Sequence, residues 1–397
     1  MNLVDCHLCE GKLIALEGFP SLLQVTSDCR PWRGGGQLAV CRGCGAVQKP
    51  ITEKWLGETS EIYAGYEIYC QGAGTEQLTF DPGTGTNETR STKIVEWLTA
   101  ARVLPESGRL LDIGCGNGAF LRAFGARHPR HPRHQGWEMT GLELDGRNQR
   151  AIESIPGVTG LHVGPVESLT GRFDLIALIH VLEHVPRPAR FLASLTRNLE
   201  PDGLLLIEVP DIEQSPFDIL IADHCTHFAA DALHELLASA GFESLATRAD
   251  LVPREISQLT RFSGGGGPEQ ARREGRQHSE REPGNGMEVP NAHIAWLQSL
   301  LRQSQLLEGT VGVFGTSIAA TWLATSLGDK VVFFVDEDRN RIGRDHLSRP
   351  IYAPSCAPKG APIVVPMRAD IAAAIAKRFE NLARRFVLPA AVGSVSR

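Results

Sequence analysis

Apolar runs broken by glycine, with amphipathic segments between them, divide this chain into α/β units. Residues 110–113 are an unbroken apolar run apart from Asp112. They give way to glycines at Gly114, Gly116 and Gly118 and then to a helix-compatible segment, 119–123, which predicts strand, tight turn and helix. A second strand pattern covers 139–144. Residues 173–180 and 203–211 are apolar without alternation, as in strands covered on both faces of a parallel sheet. Amphipathic helices are predicted over 87–101 and after Asp223, in DHCTHFAADALHELLASAGFE, ending at Gly241. Residues 263–287 are rich in Gly, Arg and Glu without apolar period and read as a mobile linker. A helix over 292–307 follows, then TVGVFGTSIAATWLATSL, VVFFVDEDRNRIG and APIVVPM, a second strand-turn-helix unit with two further strands.

At 397 residues the chain is too long for one ordinary core, and its 42% hydrophobic content can fill two or three. A formal net charge of −6 offers no general attraction to nucleic acid or anionic lipid, which disfavours such partners. The start, MNLVDCHLCEGK, has a carboxylate and two cysteines where an export signal needs a basic and then an apolar region. No apolar run reaches membrane-spanning length, so a cytoplasmic protein is expected.

Nine cysteines in a reducing compartment call for an explanation other than disulfides. Cys6-His7-Leu8-Cys9 and Cys41-Arg42-Gly43-Cys44 supply four thiolates at zinc spacing, with Cys29 and His7 as substitutes. The glycine-rich segment between the pairs lacks the βαβ setting of a redox motif; reduced, unmetallated cysteines are the alternative. With every position filled by protein, the metal would be structural, holding a small module by a cohesion separate from the rest of the chain.

The turn after residue 113 carries the chemistry. Gly114, Cys115, Gly116 and Gly118 allow a ligand to approach the backbone, and the free N–H groups of the following helix face it. Gly114, Gly116 and Ala119 also fit the dinucleotide fingerprint. Asp112 decides between the two, since a carboxylate beside the turn suits the cationic amino acid end of S-adenosylmethionine better than a pyrophosphate. Glu143, ending the second strand, can accept both ribose hydroxyls. Of thirteen histidines, His180, His184, His224 and His227 lie at the carboxyl ends of strands or in the loops there, where open α/β sheets bind ligands; packing is the plain alternative for each.

In order along the chain, DIGCGNG, GLELD, FDLI, HVLEHV and LIEVP resemble the successive motifs of class I S-adenosylmethionine-dependent methyltransferases, over roughly residues 87–250. The resemblance implies that the turn holds the methionine part, Glu143 the ribose, and Val166 and Glu167 the adenine, although Pro165 stands where many members have aspartate. The segment from Asp223 resembles that of methyltransferases acting on nucleotide-linked sugars, in which an acid-histidine pair abstracts a proton. This implies Asp223 and His224 as the pair, with His180 or His184 as other candidate bases. Ile221 and His227 depart from aromatic positions of those enzymes.

The predicted fold class is α/β, a doubly wound Rossmann-like methyltransferase core with an amino-terminal zinc-binding module and a second, carboxyl-terminal Rossmann-like domain. The boundaries are 1–72, 73–255, a flexible linker 256–290, and 291–397. The function implied is methyl transfer from S-adenosylmethionine to carbon or oxygen of a nucleotide-linked sugar. The alternatives are a natural-product O-methyltransferase, a nicotinamide-dependent oxidoreductase, or a docking scaffold without catalysis.

Overall fold

The structure, a computed structural model, describes residues 5–66, 76, 78–80, 87–128, 136–263, 286–382 and 384–391. Tyr69, His131, His134 and most of the expected linker lie outside these residues. The chain opens with strands too short to show a period: β1 (Leu13–Ala15), the hairpin β2 (Gln24–Val25) and β3 (Pro31–Trp32), β4 (Ala39–Cys41) and β5 (Val47–Gln48). Helix α1 (Glu53–Ala64) starts where the Thr52 side chain accepts the Trp55 N–H at 3.1 Å. A hairpin of β6 (Leu78–Phe80) and β7 (Asn87–Thr89) leads to α2 (Arg90–Ala101), capped in the same way by Thr89 on the Thr92 N–H.

The central sheet follows. Its strands are β8 (Arg109–Ile113), β9 (Glu138–Glu143), β10 (Val158–Val163), β11 (Phe173–Ile179) and β12 (Leu199–Pro210). Helices α3 (Ala119–Arg127), α4 (Gln149–Glu153) and α5 (Pro188–Leu195) connect them. Beyond β12 come β13 (Thr226–His227), α6 (Ala230–Ser239), β14 (Phe242–Arg248) and β15 (Glu255–Phe262). The order is β10-β9-β8-β11-β12-β15-β14, parallel except that β15 runs against both neighbours. Strand alternation divides the apolar residues. Leu110, Leu175, Ala177, Leu204 and Leu206 face α2 and α3, whereas Leu111, Ile176, Leu178, Leu205 and Ile207 face α5 and α6. The expected linker 256–290 is corrected at both ends, because residues 255–262 are a strand paired on both sides and α7 (Glu288–Gln305) has begun by residue 288.

The carboxyl-terminal unit is a second, mostly parallel sheet of six strands. It contains β16 (Val311–Phe314), α8 (Ile318–Leu327), β17 (Val331–Val335), β18 (Asp345–His346), β19 (Arg349–Tyr352), β20 (Ile363–Val364), α9 (Ala369–Arg378) and β21 (Phe386–Val387). Its order is β18-β19-β17-β16-β20-β21.

Contrary to the separate cohesion expected from the sequence, the amino-terminal segment shares its core with the rest of the chain. Leu16, Phe19, Leu22, Val25, Leu38 and Val40 share one apolar cluster with Ile294, Trp296 and Leu297 of α7, Trp322 of α8, and Phe217, Ile219 and Leu220 after β12. The sheet β1-β4-β5 also takes β13 as its fourth strand. Lys49, buried, completes the join. Its Nζ donates to the carbonyls of Ile219 (3.1 Å), Ile221 and His224 (3.3 Å). Trp55 Nε1 donates to Ala222 O at 3.0 Å, and the Ala222 N–H to Val25 O at 2.7 Å.

Phe19 is fully buried in the shared cluster, so Phe19→Ala is expected to cost about 3–5 kcal/mol. The shared core also predicts that hydrogen exchange accelerates in α7 as well as in β1 to β5. Faster exchange confined to the amino-terminal strands would show that the two parts are held independently.

Candidate functional site

The turn after β8 is a backbone cradle. Gly114, Gly116 and Gly118 have φ of 68°, 58° and 79°, in the left-handed region. At Gly114 a Cβ would stand 2.7 Å from Val181 Cγ2, so no other residue fits. The Gly114 N–H donates to Leu142 O (2.8 Å), and the Gly116 N–H to Glu143 Oε1 (2.6 Å), which ties the turn to the end of β9. The cavity above the turn is lined by Asp112, Gly114, Cys115, Gly116 and Glu143, with Tyr66, Arg90, Ser91, Asn148 and His180 around them. Burial, then Glu143, pushes the Asp112 carboxyl well above the usual range, and burial also raises Glu143. Two crowded acids under one cavity favour a cation in it.

Gly118 stands behind the cavity as the residue opening α3. Val166 and Glu167 lie on a short 3-10 turn after β10 and do not line the cavity; Val166 is packed into the core. At that side Asp145, Arg147 and Asn148 form the wall instead. Sequence reasoning also missed Arg90 and Ser91. The only local signal was a polar stretch at the start of a predicted helix, since what brings them to the cavity is the packing of α2.

His180 ends β11 with φ 55°, unusual for a residue with a side chain. Its Nδ1 lies 3.0 Å from Glu183 Oε1 and its Nε2 3.4 Å from Glu255 Oε2, while Arg90 Nε is 2.9 Å from Glu208 Oε1. Burial opposes a charge here, but Glu255 and Glu183 outweigh burial and Arg90, and the pKa of His180 is raised. Burial pushes Glu208 up to about 7.

Asp223 and His224, adjacent in the chain, do not orient one another. They lie in a turn closed by the His224 N–H on Ile221 O (3.3 Å), which sends their side chains to different partners. His224 Nδ1 pairs with Asp218 Oδ1 (2.8 Å), and His227 Nδ1 with Asp218 Oδ2 (2.6 Å), all buried. Asp223 instead faces His184, whose Nδ1 is 3.4 Å from Asp223 Oδ2 and 3.1 Å from its carbonyl oxygen. Burial pushes Asp223 up, but His184, His224 and Ser27 outweigh it and hold the carboxyl well below the usual range. The His184 ring meets Tyr63 and His224 edge-on, at 6.2 and 4.5 Å between centres.

Away from the cavity, Cys6, Cys9, Cys41 and Cys44 bring four sulfur atoms within 4.8 Å of one another. Cys6 and Cys44 are 3.7 Å apart and Cys9 and Cys41 3.4 Å, close to the roughly 3.8 Å edge of a tetrahedron of zinc-bound thiolates. Gln48 Nε2 (2.9 Å) and the Leu8 N–H (3.4 Å) donate to Cys6, and the Gly43 N–H to Cys41 (3.3 Å), as suits negative sulfur.

Compared with known proteins, residues 87–247 match the family described as a methyltransferase domain. The ubiquinone biosynthesis O-methyltransferase of Psychrobacter arcticus is 28% identical over 180 residues, covering 38% of this chain and 64% of that protein. A dTDP-4-amino-2,3,4,6-tetradeoxy-D-glucose N,N-dimethyltransferase of Saccharopolyspora spinosa is 34% identical, covering 26% of this chain and 41% of that protein. A C-methyltransferase of Streptomyces niveus is 26% identical, covering 38% and 36%. The chain thus spans less than two thirds of the length of these relatives. Among solved structures, 1,6-didemethyltoxoflavin-N1-methyltransferase of Burkholderia thailandensis is 17% identical with a TM-score of 0.37, covering 55% of this chain and 95% of that one.

The buried histidines give the fold a pH dependence. Burial, first among the causes, holds His227 and His293 at about 4, below the ordinary 6.5. Between about 4 and 6.5 the unfolded chain therefore binds more protons, so stability rises with pH through this window and is lost as pH falls. The urea midpoint should climb from pH 4 to 6.5, and His293→Gln should flatten part of the slope. An unchanged slope in that variant would remove His293 from the account.

Proposed function

We propose, from the methyltransferase domain that residues 87–247 match, that this chain transfers the methyl group of S-adenosylmethionine to an oxygen or carbon of a small biosynthetic intermediate, a nucleotide-linked sugar. The observation that carries the reading is the glycine turn with Glu143 drawn onto the Gly116 N–H and Asp112 buried beside it. The donor, when bound, supplies an electrophilic methyl on a sulfonium whose leaving group is a neutral thioether. Asp112, crowded by Glu143 and short of a cation, would attract the amino group, and Glu143 would accept the ribose hydroxyls.

The protein's remaining work is alignment and removal of a proton from the acceptor. We assign the base to His184, with His224 as the other candidate from the sequence. Asp223 holds the His184 Nδ1 side, which leaves Nε2 to accept a proton, whereas His224 is committed to the buried Asp218. His180 has a carboxylate facing each of its ring nitrogens. The nucleotide-sugar acceptor is supported by the segment from Asp223 and by the relative that acts on a dTDP-linked amino sugar.

Zinc held by Cys6, Cys9, Cys41 and Cys44 would be structural, as all four positions are taken by thiolates. The carboxyl-terminal unit we read as Rossmann-like with a structural or docking role. Its Asp336, placed where a ribose would be bound, already accepts from Thr316 (2.8 Å) and lies 3.3 Å from Arg341 Nη1.

By isothermal titration, Glu143→Ala should weaken S-adenosylmethionine binding by on the order of 1–3 kcal/mol, and Gly116→Val should abolish it. Unchanged affinity in both would end the methyltransferase reading. His184→Ala should keep donor affinity and lower turnover by roughly 10²–10⁴-fold, read with isotopically labelled donor against a panel of nucleotide-linked sugars. Full turnover in His184→Ala with loss in His224→Ala would transfer the role.

Metal analysis should find close to one zinc per chain, with Cys41→Ser losing it. Because the amino-terminal strands share their core with α7 and the loop after β12, zinc loss should also loosen those elements. A metal-free preparation with full stability would contradict the assignment.

A further inference from the structure

One turn of the amino-terminal segment reaches the assigned base. Ser27 lies between β2 and β3, in a loop with little freedom. The Thr26 N–H donates to Arg30 O, the Arg30 N–H to Thr26 Oγ1 and the Cys29 N–H to Thr26 O, each at 2.9 Å. The Thr26 hydroxyl also donates to Asp28, and Cys29 takes φ 61° to close the turn. Arg30 fixes the loop from outside, through Nε on Asp28 Oδ2 (2.7 Å) and Nη2 on Ile62 O of α1 (2.8 Å).

This rigid loop aims Ser27 at a carboxylate 196 residues further along the chain. The Ser27 N–H donates to Asp223 Oδ1 at 2.9 Å, and its Oγ to Asp223 Oδ2 at 2.5 Å. Tyr66, on the wall of the donor cavity, is on the same side, and Ser27 partly offsets the burial that raises the pKa of its hydroxyl. Ser27, Asp223 and His184 therefore form one connected chain that ends at the base. A buried carboxylate held only by a histidine could rotate about its own bonds. One that accepts from two donors on a single residue has both oxygens fixed in direction.

We propose that Ser27 is a positioning residue for the proton-transfer step, holding Asp223 so that His184 keeps its proton on Nδ1 and presents Nε2 to the acceptor. The proposal rests on the reading of His184 as the base. Nothing in the sequence near Ser27 marks it, because its partner is distant and the strands around it are only two residues long. It also changes what the amino-terminal segment is for. Besides enclosing a metal, that segment supplies part of the acceptor side of the site.

The sign of the effect follows from charge. The Ser27 hydroxyl draws electron density from Asp223; without it the carboxylate attracts the His184 proton more strongly, so His184 should titrate at higher pH. The other groups facing His184 stay in place: Glu183 on its own turn, His224 beside Asp223, and Tyr63 on α1.

The experiment uses the full chain with isotopically labelled histidine, following ring resonances by NMR against pH, with His184 assigned by its loss in His184→Gln. Ser27→Ala is expected to raise the His184 midpoint by roughly 0.5–1 pH unit, and Ser27→Thr, which keeps the hydroxyl, to restore it. Ser27→Cys, a weaker donor of similar size, should fall between and serves if the alanine variant does not fold. A midpoint unmoved or lowered in Ser27→Ala, or raised equally in Ser27→Thr, would overturn the inference. Titration of the same samples with S-adenosylmethionine separates the two claims. A wild-type chain that binds no donor defeats the methyltransferase reading, whereas donor binding with an unmoved His184 midpoint defeats only the role of Ser27.

Discussion

A single buried ammonium fixes the geometry of the carboxyl edge of the central sheet. Lys49 would be costly in the interior alone; burial lowers its pKa to about 8, and Asp218 and Asp223 work against that shift. Those two aspartates would be as costly without a cation nearby. The three charges hold one another inside, and the carbonyls that Lys49 engages belong to the same loop that carries both aspartates. Once this loop is fixed, Asp218 pairs with His224 and His227, and Asp223 with His184 and Ser27. The arrangement of the site is thus decided between chain segments, with α1, β5 and the loop after β12 each supplying one side.

This explains which features the sequence made legible. The strands of the central sheet and the glycine turn are local patterns, and β8, β9, β11 and β12 fall within a few residues of where apolar runs placed them. Asp112, Gly114, Cys115, Gly116 and Glu143 meet at one cavity, as the spacing of strand, turn and strand implied. The amino-terminal strands of two or three residues have no period to detect. β14 and β15 were missed for another reason. With Thr, Ser, Gln and Arg among their residues, β14 at the sheet's edge and β15 beside it resemble the polar stretches on either side.

Pairings were less legible than elements. Asp223 next to His224 reads as a dyad in one dimension, yet the turn between residues 221 and 224 parts them, and the partner of Asp223 comes from the end of β11. His180 and His184, four positions apart in one motif, end with different partners. His180 lies between Glu183 and Glu255, whereas His184 meets Asp223 through Nδ1, and nearby carboxylates raise the pKa of both. The expected adenine contacts at Val166 and Glu167 failed to appear at the cavity wall because the short turn there buries Val166 beneath the sheet.

The shared core of the amino-terminal strands and α7 bears on how the chain is made. Gly18 and Gln298, in contact through the Gln298 side chain, stand 280 residues apart. At ribosomal speeds of about 5–20 residues per second, the apolar face of the first strands waits roughly a quarter of a minute to a minute for its partner to emerge. In that interval Leu16, Phe19 and Leu22 have no helix to cover them. Closure of so long a loop is also slow. A cell producing this protein therefore has to keep these early strands from associating with other nascent chains until α7 has been made.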